Sequence, residues 1–267
     1  MGLQHKMSSF GLTVLGSGSS GNATVIHAPK GDILVDAGFS GREMVSRFEA
    51  AKLDPTRIKA MLVTHEHSDH VKGCRIFSER FNIPVHLTPR TQVALSQGKY
   101  LGMNRNLIAA GSSFELCGVE VSPFSVPHDA SDPVGYTFSY QGMKIGIATD
   151  LGAMNMLSSL RLHGCSALVL ESNHDMEMLR NSARPIQLKR RIMGRLGHLN
   201  NIDAMAALET LLTECSKCVI LAHLSGECNT ADLVRSLARA QLAKMRRDDI
   251  LLLVAEQEKP IQTVWLR

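Results

Sequence analysis

Aromatic side chains are scarce. They make up 4% of the 267 residues, with one Trp and three Tyr, so the core must be largely aliphatic. No apolar run approaches the roughly 20 residues that a membrane-spanning helix needs, and no membrane partner is expected. The opening residues lack the apolar segment of a signal peptide. Six cysteines are present but only one C-x-x-C, Cys215 and Cys218, and a four-thiolate zinc site would need a second pair. Cys74, Cys117, Cys165 and Cys228 sit in or beside apolar runs and read as small buried hydrophobes. The thiols read as reduced, which sets the expected localisation as cytoplasmic. Neither sign of charge dominates: 29 Lys and Arg against 25 Asp and Glu leave a formal net charge of +4. That is too little to demand a polyanionic partner by itself. No linker or low-complexity stretch interrupts the chain. Residues 1–10 read as a loose tail and residues 11–267 as a single domain, within the size of large α/β units.

What the chain does contain is a succession of short apolar runs separated by glycine-rich and polar turns. Leu12–Leu15, Ala23–Ala28, Ile33–Val35, Ala60–Val63 and Val85–Leu87 read as strands, with helices over Met44–Leu53 and Val71–Phe81 and another starting at Pro89. From Phe114 to Thr149 strands return, with Gln141-Gly142 as a tight turn. Strand and helix then alternate: strands at Ala167–Leu170 and Val219–Ala222, helices within Met176–Leu196 and over Asp203–Leu212 and Ala231–Met245. Ile250–Val254 and Ile261–Trp265 close the chain as strands. Each half gives strands and then helices, which predicts an α/β fold of two mixed sheets packed face to face with helices outside, an αββα sandwich.

The sharpest feature is Thr64-His65-Glu66-His67-Ser68-Asp69-His70, directly after a buried strand. Three imidazoles and a carboxylate so close together suit zinc or another borderline first-row ion, and strand C-terminal ends are where α/β proteins place ligand sites. The spacing is not that of His-Glu-x-x-His, since position 69 holds Asp. One loop cannot close two sites, so further ligands are expected at later strand ends. His128, Asp150 and His223 each follow an apolar strand.

This set of residues resembles the metallo-β-lactamase superfamily. The resemblance implies a first metal on His65, His67 and His128, a second on Asp69, His70 and His223, and Asp150 as the bridge between them. Ser17-Gly18-Ser19-Ser20-Gly21-Asn22, Pro127-His128-Asp129-Ala130, Asp150-Leu151-Gly152, Glu171-Ser172-Asn173-His174-Asp175, Gly197-His198-Leu199 and Ala222-His223-Leu224-Ser225 resemble the YycJ/WalJ group. Its members are associated with DNA exonuclease activity and have PhnP-type phosphodiesterases as neighbours. The resemblance implies two divalent ions per chain, zinc or manganese, and a phosphodiester hydrolase acting on DNA, with RNA also open. The rival substrates are a small cyclic phosphodiester, a thioester or a lactone. Asn200 stands where the group often has Ser, Ala23 where Ser is common, and Cys228 before Asn229 where paired Asn is common. None of these falls on a proposed ligand.

Asp69 is expected to act in catalysis by orienting the nucleophile. His198 is expected to touch a substrate phosphate or donate a proton to the leaving group; the alternative is a supporting or capping histidine. His174 is open in the same way, and either could replace an assigned metal ligand. Ser20, Asn22, Asn173, His174 and His198 are the expected substrate contacts. The Ser17–Asn22 loop could hold a phosphate oxygen on its backbone N–H groups or simply be a tight turn that needs glycine. The basic residues Arg180, Arg184, Lys189, Arg190, Arg191 and Arg195 lead into Gly197-His198 and read either as a phosphate-attracting surface or as a solvated helix face. His5, His27, His86 and His163 read as ordinary tail, surface or core residues.

Overall fold

The computed structural model describes residues 10–96, 100 and 104–267. Of the expected tail, residues 1–9, with His5, lie outside the described residues, and Phe10 is fully buried. The first half forms β1 (Gly11–Gly16), β2 (Ala23–His27), β3 (Asp32–Val35), α1 (Gly41–Ala50), β4 (Ile58–Leu62), α2 (Ser68–Val71), α3 (Cys74–Phe81), β5 (Val85–Leu87), α4 (Pro89–Ser96) and β6 (Arg105–Leu107). The second forms β7 (Phe114–Leu116), β8 (Val119–Ser125), β9 (Val134–Tyr140), β10 (Met143–Ala148), α5 (Met156–Leu162), β11 (Ala167–Glu171), α6 (Met176–Asn181), α7 (Ile186–Met193), α8 (Asn201–Leu211), β12 (Cys218–Ala222), α9 (Ala231–Lys244) and β13 (Leu251–Val254). A last strand, β14 (Val264–Trp265), returns to the first sheet.

The sheet orders are β14-β1-β2-β3-β4-β5-β6 and β13-β12-β11-β10-β9-β8-β7. Side chains alternate across each strand, and strands such as β1, β2, β3, β11 and β12 are buried on both faces and largely apolar, whereas β8 alternates, with Glu120 exposed between buried Val119 and Val121. On β11, Ala167 and Val169 enter the core between the sheets, while Leu168 and Leu170 face the core under α5, α8 and α9. On β3, Ile33 and Val35 point between the sheets and Leu34 packs toward α1 and α3. Each fully buried aliphatic side chain contributes roughly 1.5–3 kcal/mol against the cost of ordering the chain. These three apolar layers make the αββα sandwich that the alternation of runs predicts.

Within each sheet four consecutive strands run parallel, β3 through β6 and β10 through β13, from the centre out to one edge. Their C-terminal ends therefore share an edge, and the loops leaving that edge carry the candidate site. The expected hairpin is present: Gln141 and Gly142 both have positive φ, 47° and 80°, between β9 and β10. The helix expected over Val71–Phe81 is instead broken. Gly73 donates its N–H to Ala37 O at 2.8 Å, and a Cβ there would lie 2.2 Å from Phe39 O, so the chain steps sideways before α3 begins. The strand β6, all of it exposed, sits at the sheet edge and lacks the apolar pattern that marks the others. Among the described residues, no helix is long and apolar enough to cross a membrane.

Candidate metal centre

The loop after β4 brings His65 and His67 to the shared edge, and α2 carries Asp69 and His70 one turn later. His128 comes from the β8–β9 loop, Asp150 follows β10 and His223 follows β12. His67 Nδ1 lies 3.1 Å from His65 Nε2 and 3.3 Å from His128 Nε2. One ring nitrogen cannot satisfy both with a single proton. The spacing is that of nitrogens around a tetrahedral ion, about 3.3 Å when each metal–nitrogen bond is about 2.0–2.1 Å. Asp69 Oδ2 lies 3.4 Å from His70 Nε2 and 3.5 Å from His223 Nε2. Asp150 joins the two groups: Oδ2 is 2.9 Å from His70 Nε2, and Oδ1 is 3.6 Å from His128 Nε2. Among the described residues, His223 Nε2 and Asp150 Oδ2 are buried without a hydrogen-bond partner, the 2.9 Å approach to His70 lacking hydrogen-bond alignment. Buried polar atoms left in this way cost stability, and donors aimed at a common cation are arranged like this. The residues fit a divalent metal.

Other groups fix which ring nitrogen faces inward. Asp36, at the end of β3, accepts from Thr64 N and Thr64 Oγ1 at 2.8 Å each and holds His70 Nδ1 at 2.7 Å. Gly197 O takes His128 Nδ1 at 3.1 Å. Glu171, at the end of β11, has Oε1 2.7 Å from His223 Nδ1 and 2.9 Å from His198 Nδ1, while Oε2 accepts Leu151 N and Leu199 N. Carboxylates and carbonyls behind histidines are the usual supports of a metal site. Asp36 and Glu171 thus stand behind the candidate ligands, a placement that the sequence alone leaves unassigned. Asp36, Asp150 and His223 all adopt left-handed backbone, with φ of 59°, 56° and 55°. Such strain in non-glycine residues concentrates at functional sites.

The charges agree with this geometry. Burial, the largest single effect, disfavours the charged forms of His70 and His223, but Asp150 together with Asp36 and Asp69 at His70, and with Asp69 and Glu171 at His223, exceeds it, and both imidazoles titrate well above the ordinary value. Burial also opposes ionisation of Asp69 and Asp150, but the neighbouring histidines hold both carboxyls well below the usual range. Burial keeps His65 and His128 on the neutral side, the form in which an imidazole binds metal. Four carboxylates, those of Asp36, Asp69, Asp150 and Glu171, thus gather around a small space that calls for positive charge.

That space opens into a cavity of about 220 Å³, lined by Asp69, Asp150, Asn173, Arg184, Arg191 and His198 among others. His198 is part-exposed there, and Glu171 and Asp150 raise its pKa against the effect of burial. Asn173 is buried at the wall, with Nδ2 donating to His223 O at 2.7 Å. Of the glycine-rich loop, Ser19 lines the cavity. Ser20 is exposed, with its N–H on Gln257 Oε1. The Asn22 amide is engaged by Gly18 O and lies 3.3 Å from Asp69 Oδ2 and 3.2 Å from His70 Nε2. Asn22 therefore braces the candidate ligands rather than facing the cavity. Gly38 makes this bracing possible: its N–H bonds Asn22 O, and a Cβ there would sit 1.6 Å from Asp69 O. His174 is fully buried outside the cavity lining, its Nε2 has no hydrogen-bond partner among the described residues, and burial lowers its pKa to about 4. Arg191 pairs with Asp129 and Arg184 with Glu227, while Arg190 is exposed and off the lining. Cys218 is buried in the core between the sheets and Cys215 is exposed.

Residues 32–223 match the β-lactamase superfamily domain. The chain is 36% identical over 225 residues to the exodeoxyribonuclease YycJ of Bacillus anthracis, covering 84% of this chain and 85% of that protein. To the exodeoxyribonuclease WalJ of Streptococcus pneumoniae it is 32% identical over 239 residues, covering 88% and 89%. The crystal structure of Zn(2+)-bound PqqB from Methylobacterium extorquens superimposes with a TM-score of 0.68 over 94% of this chain and 99% of that one, at 17% identity. At that identity the likeness speaks for the fold.

Proposed function

The chain belongs to the β-lactamase superfamily, a metal-dependent hydrolase by its fold and relatives, and from that premise we propose that it is a phosphodiesterase that degrades DNA from an end. His65, His67 and His128 would hold one ion and Asp69, His70 and His223 a second, with Asp150 available to both; zinc or manganese suits this mixture of imidazole and carboxylate. When bound, such a pair depresses the pKa of water toward neutrality and polarises a phosphoryl oxygen. Asp69 and Asp150 orient the nucleophile. His198, steadied by Glu171, donates a proton to the departing alkoxide. Asn173 and Ser19 border the bound phosphate. Six unpaired thiols suit a reduced, cytoplasmic setting.

The observation that carries this reading is that Arg184 and Arg191 line the same cavity as the candidate ligands and His198. A neutral thioester or lactone offers no anion to two guanidinium groups, whereas a nucleic-acid strand offers a phosphate on either side of the scissile one. The names of the two curated relatives point the same way. The test is a substrate panel on one metal-loaded sample: single-stranded and duplex DNA, RNA, a small chromogenic phosphodiester and a thioester. Progressive release of mononucleotides from DNA is expected. Turnover of the thioester with DNA untouched would overturn the proposal.

Two further outcomes are expected. Elemental analysis of protein dialysed against zinc or manganese should give close to two ions per chain, and chelation should abolish hydrolysis until either ion is restored. Replacing Arg184 and Arg191 together with Gln should weaken DNA binding and flatten its salt dependence by about one unit of slope for each phosphate that the variant no longer neutralises. Hydrolysis of the small chromogenic ester should change little in the same variant, because that substrate has no flanking phosphates.

A further inference from the structure

The candidate ligands of the first ion straddle the two sheets. His65 and His67 leave β4 of the first sheet, and His128 leaves β8 of the second. Their donor atoms must be placed to within a few tenths of an ångström of the positions an ion requires, although the loops carrying them belong to different layers. Three bonds join the layers nearby: Val134 N donates to Thr64 O at 3.0 Å, Tyr136 Oη to Val63 O at 2.7 Å, and Thr88 Oγ1 to Asp132 O at 3.4 Å. None of them ties the segment between His65 and His67 to the tip of the β8–β9 loop. Glu66, the residue between His65 and His67, does. Its Oε1 accepts both Ser131 N and Ser131 Oγ at 2.7 Å, three residues beyond His128. Charge-assisted bonds of this length are strong. The other oxygen, Glu66 Oε2, is buried without a hydrogen-bond partner among the described residues. A glutamate serving only as surface charge would keep both oxygens in water.

We propose that Glu66 is a positioning residue that latches the His128 loop to the His65–His67 loop and so closes the first metal site. The latch acts on one ion: Asp69 and His70 follow on α2, are braced by Asn22 and Asp36, and do not depend on Ser131. The inference rests on the two-ion reading above, and the experiment keeps the two apart.

Binding of zinc is measured by competition with a chromophoric chelator, starting from metal-free protein, for wild type, Glu66→Ala, Glu66→Gln, Ser131→Ala and the double variant Glu66→Ala with Ser131→Ala. Wild type comes first, because failure to bind two ions would refute the two-ion reading itself. Given two ions, Glu66→Ala is expected to hold one as wild type does and the other about 10- to 100-fold more weakly, the usual loss for a residue that orients ligands. Glu66→Gln, whose amide oxygen can still accept both bonds, should recover most of that loss. Ser131→Ala, which keeps the backbone N–H, should fall between. The double variant should be no worse than Glu66→Ala alone, since coupled partners are not additive. Thermal melts of the metal-free proteins run alongside. Unchanged affinity for both ions in Glu66→Ala would overturn the latch, as would additive losses in the double variant. A parallel loss of both ions that tracks metal-free stability would overturn it too, by assigning Glu66 to general support of the fold. If Glu66→Ala fails to fold, Glu66→Gln against Ser131→Ala carries the same comparison.

Discussion

Asp150→Asn is expected to lower kcat/KM on every substrate by about a thousandfold or more. The substitution keeps the shape of the side chain and removes the charge shared between the two groups of candidate ligands. Metal-assisted stabilisation of a phosphoryl transition state is worth several kcal/mol, and each 1.4 kcal/mol is about tenfold in rate. The matched control is His27→Ala. His27 is also buried, but it lies at the far end of the first sheet, with Nε2 2.8 Å from Thr13 Oγ1, Nδ1 3.3 Å from Asp32 Oδ2 and its ring against Trp265. Removing it takes one bond each from buried Thr13 and Asp32, which keep Thr263 and Arg57 as partners, and should cost about 1–3 kcal/mol of stability, while kcat per folded molecule stays at the wild-type level. Steady-state kinetics with thermal melts on both variants check the contrast. An Asp150→Asn protein within tenfold of wild type, or a His27→Ala protein as inactive as Asp150→Asn, would undo the division of the site.

His198→Ala should separate substrates by their leaving groups. On DNA the leaving oxygen is an alkoxide that needs a proton, and loss of a positioned acid typically costs 10²–10⁴-fold in rate. On a nitrophenyl phosphodiester the leaving phenolate departs unprotonated, so the same variant should retain activity within about tenfold. The geometry behind this is the 2.9 Å contact between His198 Nδ1 and Glu171 Oε1, which orients the ring while it borders the cavity. Equal losses on both substrates would instead make His198 a support of the metal centre.

The sequence exposed the candidate ligands because metal-binding side chains are rare just after apolar strands, and here His65, His128, Asp150 and His223 each occupy such a position. It hid Asp36 and Glu171, which also follow strands, because a lone acidic residue in a loop carries no signal until its partner is known. Their partners, His70, His198 and His223, lie between 27 and 52 residues away in the chain. Asn22 read as a phosphate contact because nothing local revealed that Gly38 lets the chain close over it. The start of α1 was legible and went unread: Ser40 caps it by accepting from Glu43 N, with Ser and Glu at the spacing of a capping box. Asn200 in place of Ser turns out to be chemically mild, because its side chain caps α8 by accepting from Asp203 N. The short apolar runs and the order of strands and helices in each half were clear along the chain, and that order carried the fold.

The left-handed backbone at Asp36, Asp150 and His223 has an evolutionary consequence. Left-handed φ favours Gly, and Asn after it, over every other residue, and each position also places an ionisable group in a buried, crowded space. Stability and activity therefore pull in opposite directions at the same three codons. A library selected for heat resistance alone, with no demand for turnover, is expected to enrich Gly or Asn at positions 36, 150 and 223, and its most robust members should be its least active. Improving this protein as a reagent then means mutating the outer helices and leaving that edge of the sandwich alone.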